Sequence, residues 1–368
     1  MIRGYTQTAL TICTVILSFA PLFANASVVS SDDPLRSLIV NVLSRATEVL
    51  VYDPMRTLPS PETFRELDGG ERNTIITALA ERAPVAAWKY LKRVSLVDGE
   101  VVLNVHEFAH VIGNELYKHY GVGRGSQMCD QTFAYGCYHG VSEEYLRVYG
   151  PSKIVSLIRE CKSFVPPKER SNPLSYSGCT HGAGHGLLTW EGLDVRVALA
   201  DCDALEMKDR PYCYDGVFME YTFSDPAGRR NDVRAATRFC TTFSEPHRIQ
   251  CARNRSMYGI TRENISEHAR ACIEILDGSA REHCIDSIGF FAGQTSKGDA
   301  GDAGNMCENI EDETFRNRCI AAAAGEFIFQ AYQGWHVNAP ALCDRIKDTT
   351  ARKNCHDRNK SVMEQYNR

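Results

Sequence analysis

CIEILDGSAREHC (residues 272–284), CENIEDETFRNRC (307–319) and CDRIKDTTARKNC (343–355) are three versions of one segment. Each has an isoleucine at its fourth position (Ile275, Ile310, Ile346), an acidic residue soon after, and an arginine three residues before the closing cysteine (Arg281, Arg316, Arg352). CDALEMKDRPYC, at 202–213, is a shortened version. Apolar, small-residue-rich runs follow the closing cysteines, as in CYDGVFMEY from Cys213, CIDSIGFFAG from Cys284 and CIAAAAGEFIF from Cys319. A polar turn between two such flanks reads as a helical hairpin. One helix ends at the first cysteine, the second begins near the second, and a disulfide across the turn ties them. Closing a loop of this length stabilises by roughly 2–4 kcal/mol.

Outward from these segments, the cysteines fall into seven couples: 129 with 137, 161 with 179, 202 with 213, 240 with 251, 272 with 284, 307 with 319, and 343 with 355. The first members recur every 32 to 41 residues, a spacing that marks a repeat array. One hairpin cannot bury its apolar face alone, so hairpins stack. The expectation is an all-α chain, an α/α solenoid of disulfide-stapled helical hairpins. Zinc-thiolate knuckles would need tight C-x2-C pairs, and the sequence has none. In spacing, Cys129 to Cys355 resembles the cysteine-rich Sel1-like repeats of some secreted bacterial proteins, a likeness that also implies an α/α solenoid.

The N-terminus reads as an export signal over residues 1–26: Arg3, an apolar run from Ala9 to Phe23, then the small-x-small pattern Ala24-Asn25-Ala26. Its removal takes Cys13 from the fifteen cysteines and leaves fourteen, an even number. Paired cysteines in an exported chain imply an oxidising compartment, so a secreted or periplasmic location is expected. No later run is apolar enough for stable membrane insertion. A net charge of −5 with no basic block argues against nucleic acid. Residues 27–100 read as an N-terminal helical region: a helix over Leu35–Val51, a linker from Pro54 to Pro61, and one or two helices over Asn73–Val94 broken near Pro84. Residues 101–230 read as metal-binding repeats, opened by a helix over Val101–Tyr120 that ends at Gly121. Residues 231–368 read as cysteine-paired repeats, with a loop at Gly298–Gly304.

The candidate chemistry lies where the second helices begin. VHEFAHVIG, CYHGVSEE, CTHGAGHG and CYDGVFME align, placing His106, His139, His181 and Asp215 at one position. His110, Glu143 and His185 follow four residues later, and Glu220 lies near that place in the fourth unit. Residues i and i+4 share a helix face, and neighbouring helices lie about 8–10 Å apart. An ion between two helices can therefore collect ligands from both. Imidazole with carboxylate suits zinc first, and also iron, manganese or copper. The expected metal ligands are His106, His110, His139, Glu143, His181, His185 and Asp215, around one or two ions. Later units carry Arg253, Asp286, Ala321 and Asp357 at the aligned position, so histidine is not a packing requirement of the repeat. The glycines Gly140, Gly182, Gly184 and Gly216 read as close helix packing. The aromatics Tyr135, Tyr138, Trp190, Tyr214 and Tyr221 read mostly as hairpin core.

The favoured function is a metal-dependent enzyme, a hydrolase before an oxidoreductase, acting on a small molecule or peptide. Glu107, Glu144 or Glu220 would shuttle the proton of a metal-bound water. His106-Glu107-Phe108-Ala109-His110 resembles the HExxH motif of zinc metalloproteases. That resemblance implies His106 and His110 as ligands, Glu107 as general base and Glu143 as a third ligand; Leu116 stands where the metzincin extension needs a histidine. A non-catalytic metal carrier or sensor, and an interaction scaffold with a protein partner on the C-terminal repeats, are the other readings. No nucleophile elbow, phosphate loop, dinucleotide fingerprint or haem-attachment motif occurs.

Overall fold

The computed structural model describes residues 58–97, 100–101, 105–165, 167, 170, 176–224, 232–330 and 332–365, and these are mostly helical. The export signal at 1–26 and the helix expected over Leu35–Val51 lie outside the described residues. Three helices open the described chain: α1 (Pro61–Glu66), α2 (Gly69–Arg82) and α3 (Pro84–Ser95). Two helices therefore occupy the stretch around Asn73–Val94. Pro84 sits in the first turn of α3, where a missing N–H costs nothing. The first of the two begins earlier than expected because Asp68 and Glu71 form a capping box ahead of it.

Val101 does not open a helix. It pairs with Leu96 in a two-residue antiparallel ladder, β1 (Leu96–Val97) with β2 (Glu100–Val101). The helix starts instead at His106 and runs to Met128 as α4. Gly121, at φ 70°, is non-helical and ends the first helical run of α4 as expected, and a second run continues from it to Met128; such a positive φ is cheap only for glycine.

The remaining helices alternate as expected for hairpins. They are α5 (Gly136–Tyr149), α6 (Ile154–Ser163), α7 (Ser177–Trp190), α8 (Val195–Cys202), α9 (Arg210–Ser224) and α10 (Val233–Cys240). Then follow α11 (His247–Arg255), α12 (Ile265–Ile275), α13 (Gly278–Ser296), α14 (Ala300–Glu308), α15 (Glu313–Gln330), α16 (Trp335–Asp344) and α17 (Thr349–Gln365). All seven expected cysteine couples are bonded, each across its own turn.

The repeated turn residues now have physical roles. Ile310 and Ile346 are buried under the turn; in the 272–284 segment Leu276 takes that place instead of Ile275. The recurring arginine holds the turn carbonyl: Arg210 Nε donates to Leu205 O at 2.9 Å, Arg281 Nε to Leu276 O at 2.7 Å, and Arg316 Nη1 to Ile310 O at 3.2 Å. The acidic residue caps the next helix. Asp312 Oδ1 accepts from Phe315 N and Asp348 Oδ1 from Ala351 N. Asp299 does the same for α14, accepting from Asp302 N. That cap turns most of the expected Gly298–Gly304 loop into the start of a helix.

Helices α4, α5, α7, α9, α11, α13, α15 and α17 each pack on the next in that order, while α6, α8, α10, α12, α14 and α16 lie against them. Glycines set the separation within the first row. A Cβ on Gly140 would meet His110 and Asn114 backbone atoms, at 2.8 Å from Asn114 N. One on Gly182 would meet the His139 backbone, and one on Gly216 would lie 2.9 Å from the His181 carbonyl carbon. Each of these neighbours is a histidine of the candidate site, or lies one turn from one.

Candidate metal centre

The close row of α4, α5, α7 and α9 turns one position of each helix toward its neighbours. His106 and His110 come from α4, His139 and Glu143 from α5, His181 and His185 from α7, and Asp215 and Glu220 from α9. The five imidazoles converge. Ring centres are 4.6 Å apart for His106–His110, 5.1 Å for His110–His139, 4.8 Å for His139–His181 and 4.9 Å for His181–His185. Two triads have ligand atoms within 4.8 Å of one another: His106, His110 and His139; and His139, His181 and His185.

Carboxylates stand behind the rings. His110 Nδ1 donates to Glu143 Oε1 at 3.0 Å, His181 Nδ1 to Asp215 Oδ2 at 3.0 Å, and His185 Nδ1 to Glu220 Oε2 at 2.9 Å. His106 Nδ1 donates to the Phe133 carbonyl at 2.8 Å. Each such bond fixes the ring orientation and leaves the Nε2 lone pair as the available donor to an ion. The Nε2 atoms of His106 and His110 face each other at 3.0 Å, and His139 Nδ1 lies 3.2 Å from His110 Nε2. The Nε2 atoms of His181 and His185 are buried with no hydrogen-bond partner among the described residues.

The electrostatics match this division. Burial first, and then neighbouring histidines, push His106 down to about 3 and His139 well below its ordinary value. Burial lowers His181 too, against the pull of Asp215. These rings are neutral at pH 7, the form that binds metal. Burial also works to lower His110, but Glu143 outweighs it and raises its value. Burial would raise the carboxylates, yet the imidazoles and, for Asp215, Arg253 hold Glu143 and Asp215 low and Glu220 at about 2.

Among the ligands expected from sequence, the five histidines present nitrogens to one another. Glu143 and Asp215 are placed behind imidazoles, in the same relation that Glu220 has to His185. Glu220 is further held by Ser224 Oγ at 2.6 Å. Glu144 faces other partners: Arg147 Nε donates to it at 2.6 Å, and Lys118 lies 4.0 Å away. Glu107 is exposed and has no hydrogen-bonded partner among the described residues. Tyr214 and Tyr221 are buried as core, whereas Trp190 is half exposed.

Sequence reading missed three parts of the site. Phe133, Ala134 and Tyr135 all adopt left-handed φ, at 59°, 50° and 64°. Each such residue costs about 1–2 kcal/mol, and the bend aims the Phe133 carbonyl at His106. Nothing in Phe-Ala-Tyr signals such a bend. Asn254 Nδ2 donates to Asp215 Oδ1 at 2.9 Å, and Arg253 lies 3.8 Å from the same oxygen. Both come from α11, the next helix along, and Arg253 was visible at the aligned repeat position. No protein-family model matches the chain, and comparisons with curated proteins and with solved structures likewise find no match.

Proposed function

We propose that the chain is an exported protein that binds divalent transition-metal ions, zinc foremost, through the histidines of its first inner helices. One observation carries this reading: the Nε2 atoms of His106 and His110 lie 3.0 Å apart while both Nδ1 atoms are committed to oxygen acceptors. Without an ion, one of the two nitrogens carries a proton and donates to the other, as the raised value of His110 allows; an ion would take that proton's place. Two ligands of a tetrahedral ion, with metal–nitrogen bonds of about 2.0–2.1 Å, sit about 3.3 Å apart. The buried, unpartnered Nε2 atoms of His181 and His185 support the same reading on the other side of His139. Imidazoles without thiolates suit zinc or copper, and every described cysteine is in a disulfide.

Export rests on the leader pattern of residues 1–26 and on the seven disulfides, which persist in oxidising compartments. No described helix is long and apolar enough to cross a membrane. The hairpins stack as an α/α solenoid, with residues 231–368 as scaffold or partner surface. Metal binding without catalysis is the reading we favour over hydrolysis. Glu144 and Glu220 have other partners, and Glu107 is exposed on α4. The zinc-protease reading of His106–His110 needs Glu107 over the ion and suffers from the same exposure.

The test is elemental analysis of protein purified from its exported compartment, beside a His106→Ala/His139→Ala/His181→Ala variant. About one or two equivalents of zinc or copper, lost in the variant, are expected. No metal in either protein after titration would leave a stapled interaction scaffold.

A further inference from the structure

Four of the five histidines are committed in one way and the fifth is not. His106, His110, His181 and His185 each donate Nδ1–H to an oxygen: Phe133 O, Glu143, Asp215 and Glu220. Each therefore has a single lone pair for an ion. His139 is 3% exposed, and among the described residues neither of its ring nitrogens meets an oxygen acceptor. Its one polar contact is Nδ1 to His110 Nε2, at 3.2 Å. It alone belongs to both histidine triads. Its ring centre lies 5.3 and 5.1 Å from His106 and His110 on one side, and 4.8 and 5.1 Å from His181 and His185 on the other.

Resting on the metal-binding reading, we propose that the site holds two divalent ions bridged by His139 as an imidazolate. Nδ1 of His139 joins the Nε2 atoms of His106 and His110 around the first ion. Nε2 of His139 joins the Nε2 atoms of His181 and His185 around the second. Entry of the second ion displaces the remaining ring proton of His139 to water, and no electron moves. Glu143 ties the halves from behind, since the oxygen that accepts from His110 is also 3.8 Å from His185 Nδ1. The two ions stand on the order of 6 Å apart, two metal–nitrogen bonds of about 2.0 Å plus the width of the ring. That is wider than the ~3.5–4 Å of oxygen-bridged pairs.

Charge is compatible with two ions. Glu143, Asp215 and Glu220 supply three negative charges, and the imidazolate supplies a fourth, which balances two divalent ions. Arg253, 3.8 Å from Asp215 and partly exposed, adds one positive charge at the margin of the site.

The full chain, stripped with chelator and titrated with Cu(II), tests this by metal counting and electron paramagnetic resonance. Two coppers per chain, with a fully loaded signal far below that of two independent spins and a half-field transition, is the expected result. His139→Gln is expected to abolish the coupling, so that whatever copper remains shows full intensity. Two coppers with two-spin intensity, saturation at one copper, or coupling that persists in His139→Gln would each overturn the bridge while leaving metal binding intact. Binding of neither copper nor zinc would instead sink the metal-binding reading itself. The wild-type spectrum decides the matter even if the variant fails to fold.

Discussion

Gly216→Ala tests whether the glycine seam, and not the histidines alone, builds the site. A Cβ there would lie 2.9 Å from the His181 carbonyl carbon and 3.2 Å from Gly184 Cα, with the His181 carbonyl oxygen nearer still. Ordinary contact begins at 3.4 Å, so α9 must retreat from α7 by at least the difference, about 0.5 Å. Overpacking of this kind costs about 1–3 kcal/mol. Replacing glycine by alanine within a helix returns about 1 kcal/mol, so the net loss of stability is roughly 0–2 kcal/mol. Metal affinity should suffer more. Ligand distances tolerate only about 0.2 Å, and the His181–Asp215 bond spans the widened gap at 3.0 Å. Disturbing such an outer partner lowers affinity about 10–100-fold. The assays are thermal unfolding of the metal-free protein and zinc titration against a competing chelator. Gly123→Ala is the control: it lies within α4, nothing is within 4 Å of its added Cβ, and both readouts should hold or improve. Wild-type zinc affinity in Gly216→Ala would refute the reasoning, whatever happened to stability.

Asp215→Asn keeps the volume but weakens the acceptor that orients His181, and a fall of about 10–100-fold in zinc affinity is expected. Glu144→Gln, whose carboxylate is held by Arg147, should leave that affinity unchanged in the same competition assay. Acidification should destabilise the metal-free protein. His106 titrates at about 3 when folded against 6.5 ordinarily, so between those values the unfolded chain binds more protons. Its contribution to folding stability is intact above pH 6.5 and declines as pH falls toward 3, by about 5 kcal/mol at the end. His110, with its raised value, opposes this in part near neutrality. Melting temperatures from pH 7 to 4 should fall more steeply in wild type than in His106→Ala; equal slopes would contradict the burial of His106. Cys202→Ser/Cys213→Ser opens a link between residues 11 apart and should cost about 3 kcal/mol in denaturant unfolding. A loss under about 1 kcal/mol would mean that the α8–α9 turn holds itself together.

The hairpins were legible because cysteine spacing reports turn length directly, and each turn proved to close on its own couple. The histidine positions were legible for a related reason. The disulfide pins the start of each inner helix, so counting two and six residues from the second cysteine selects one face of every unit: His139 and Glu143, His181 and His185. What those residues do to one another was not legible. Whether Glu143 binds an ion or orients His110 depends on the rotation of an imidazole ring, which the spacing of α-carbons does not encode. The Phe133 carbonyl was invisible because three ordinary residues adopt backbone angles that composition assigns to glycine. The start of α4 was misplaced at Val101 because apolar periodicity alone does not separate a short strand from a first helical turn. Gly121 was legible as a helix end because glycine tolerates positive φ; the second helical run that follows it to Met128 was not.

The later units explain why the aligned position suits ions at all. In α13 it holds Asp286, nearly buried, and two arginines reach it from successive helices: Arg318 Nη2 at 2.8 Å from α15 and Arg358 Nη1 at 3.1 Å from α17. In α9 it holds Asp215, which receives His181 from the preceding helix and Asn254 from the following one. In α9 and α13 the position therefore lies between neighbouring inner helices, whereas in α11 and α17 it holds the exposed Arg253 and Asp357. Where the sequence places arginine opposite aspartate, the match is made within the chain. Where it places histidine opposite histidine, from α4 to α7, three carboxylates stand behind the rings, with Arg253 of α11 beside Asp215. On the metal-binding reading proposed above, the slot that α13 closes with guanidinium is the one that ions would fill in the N-terminal hairpins.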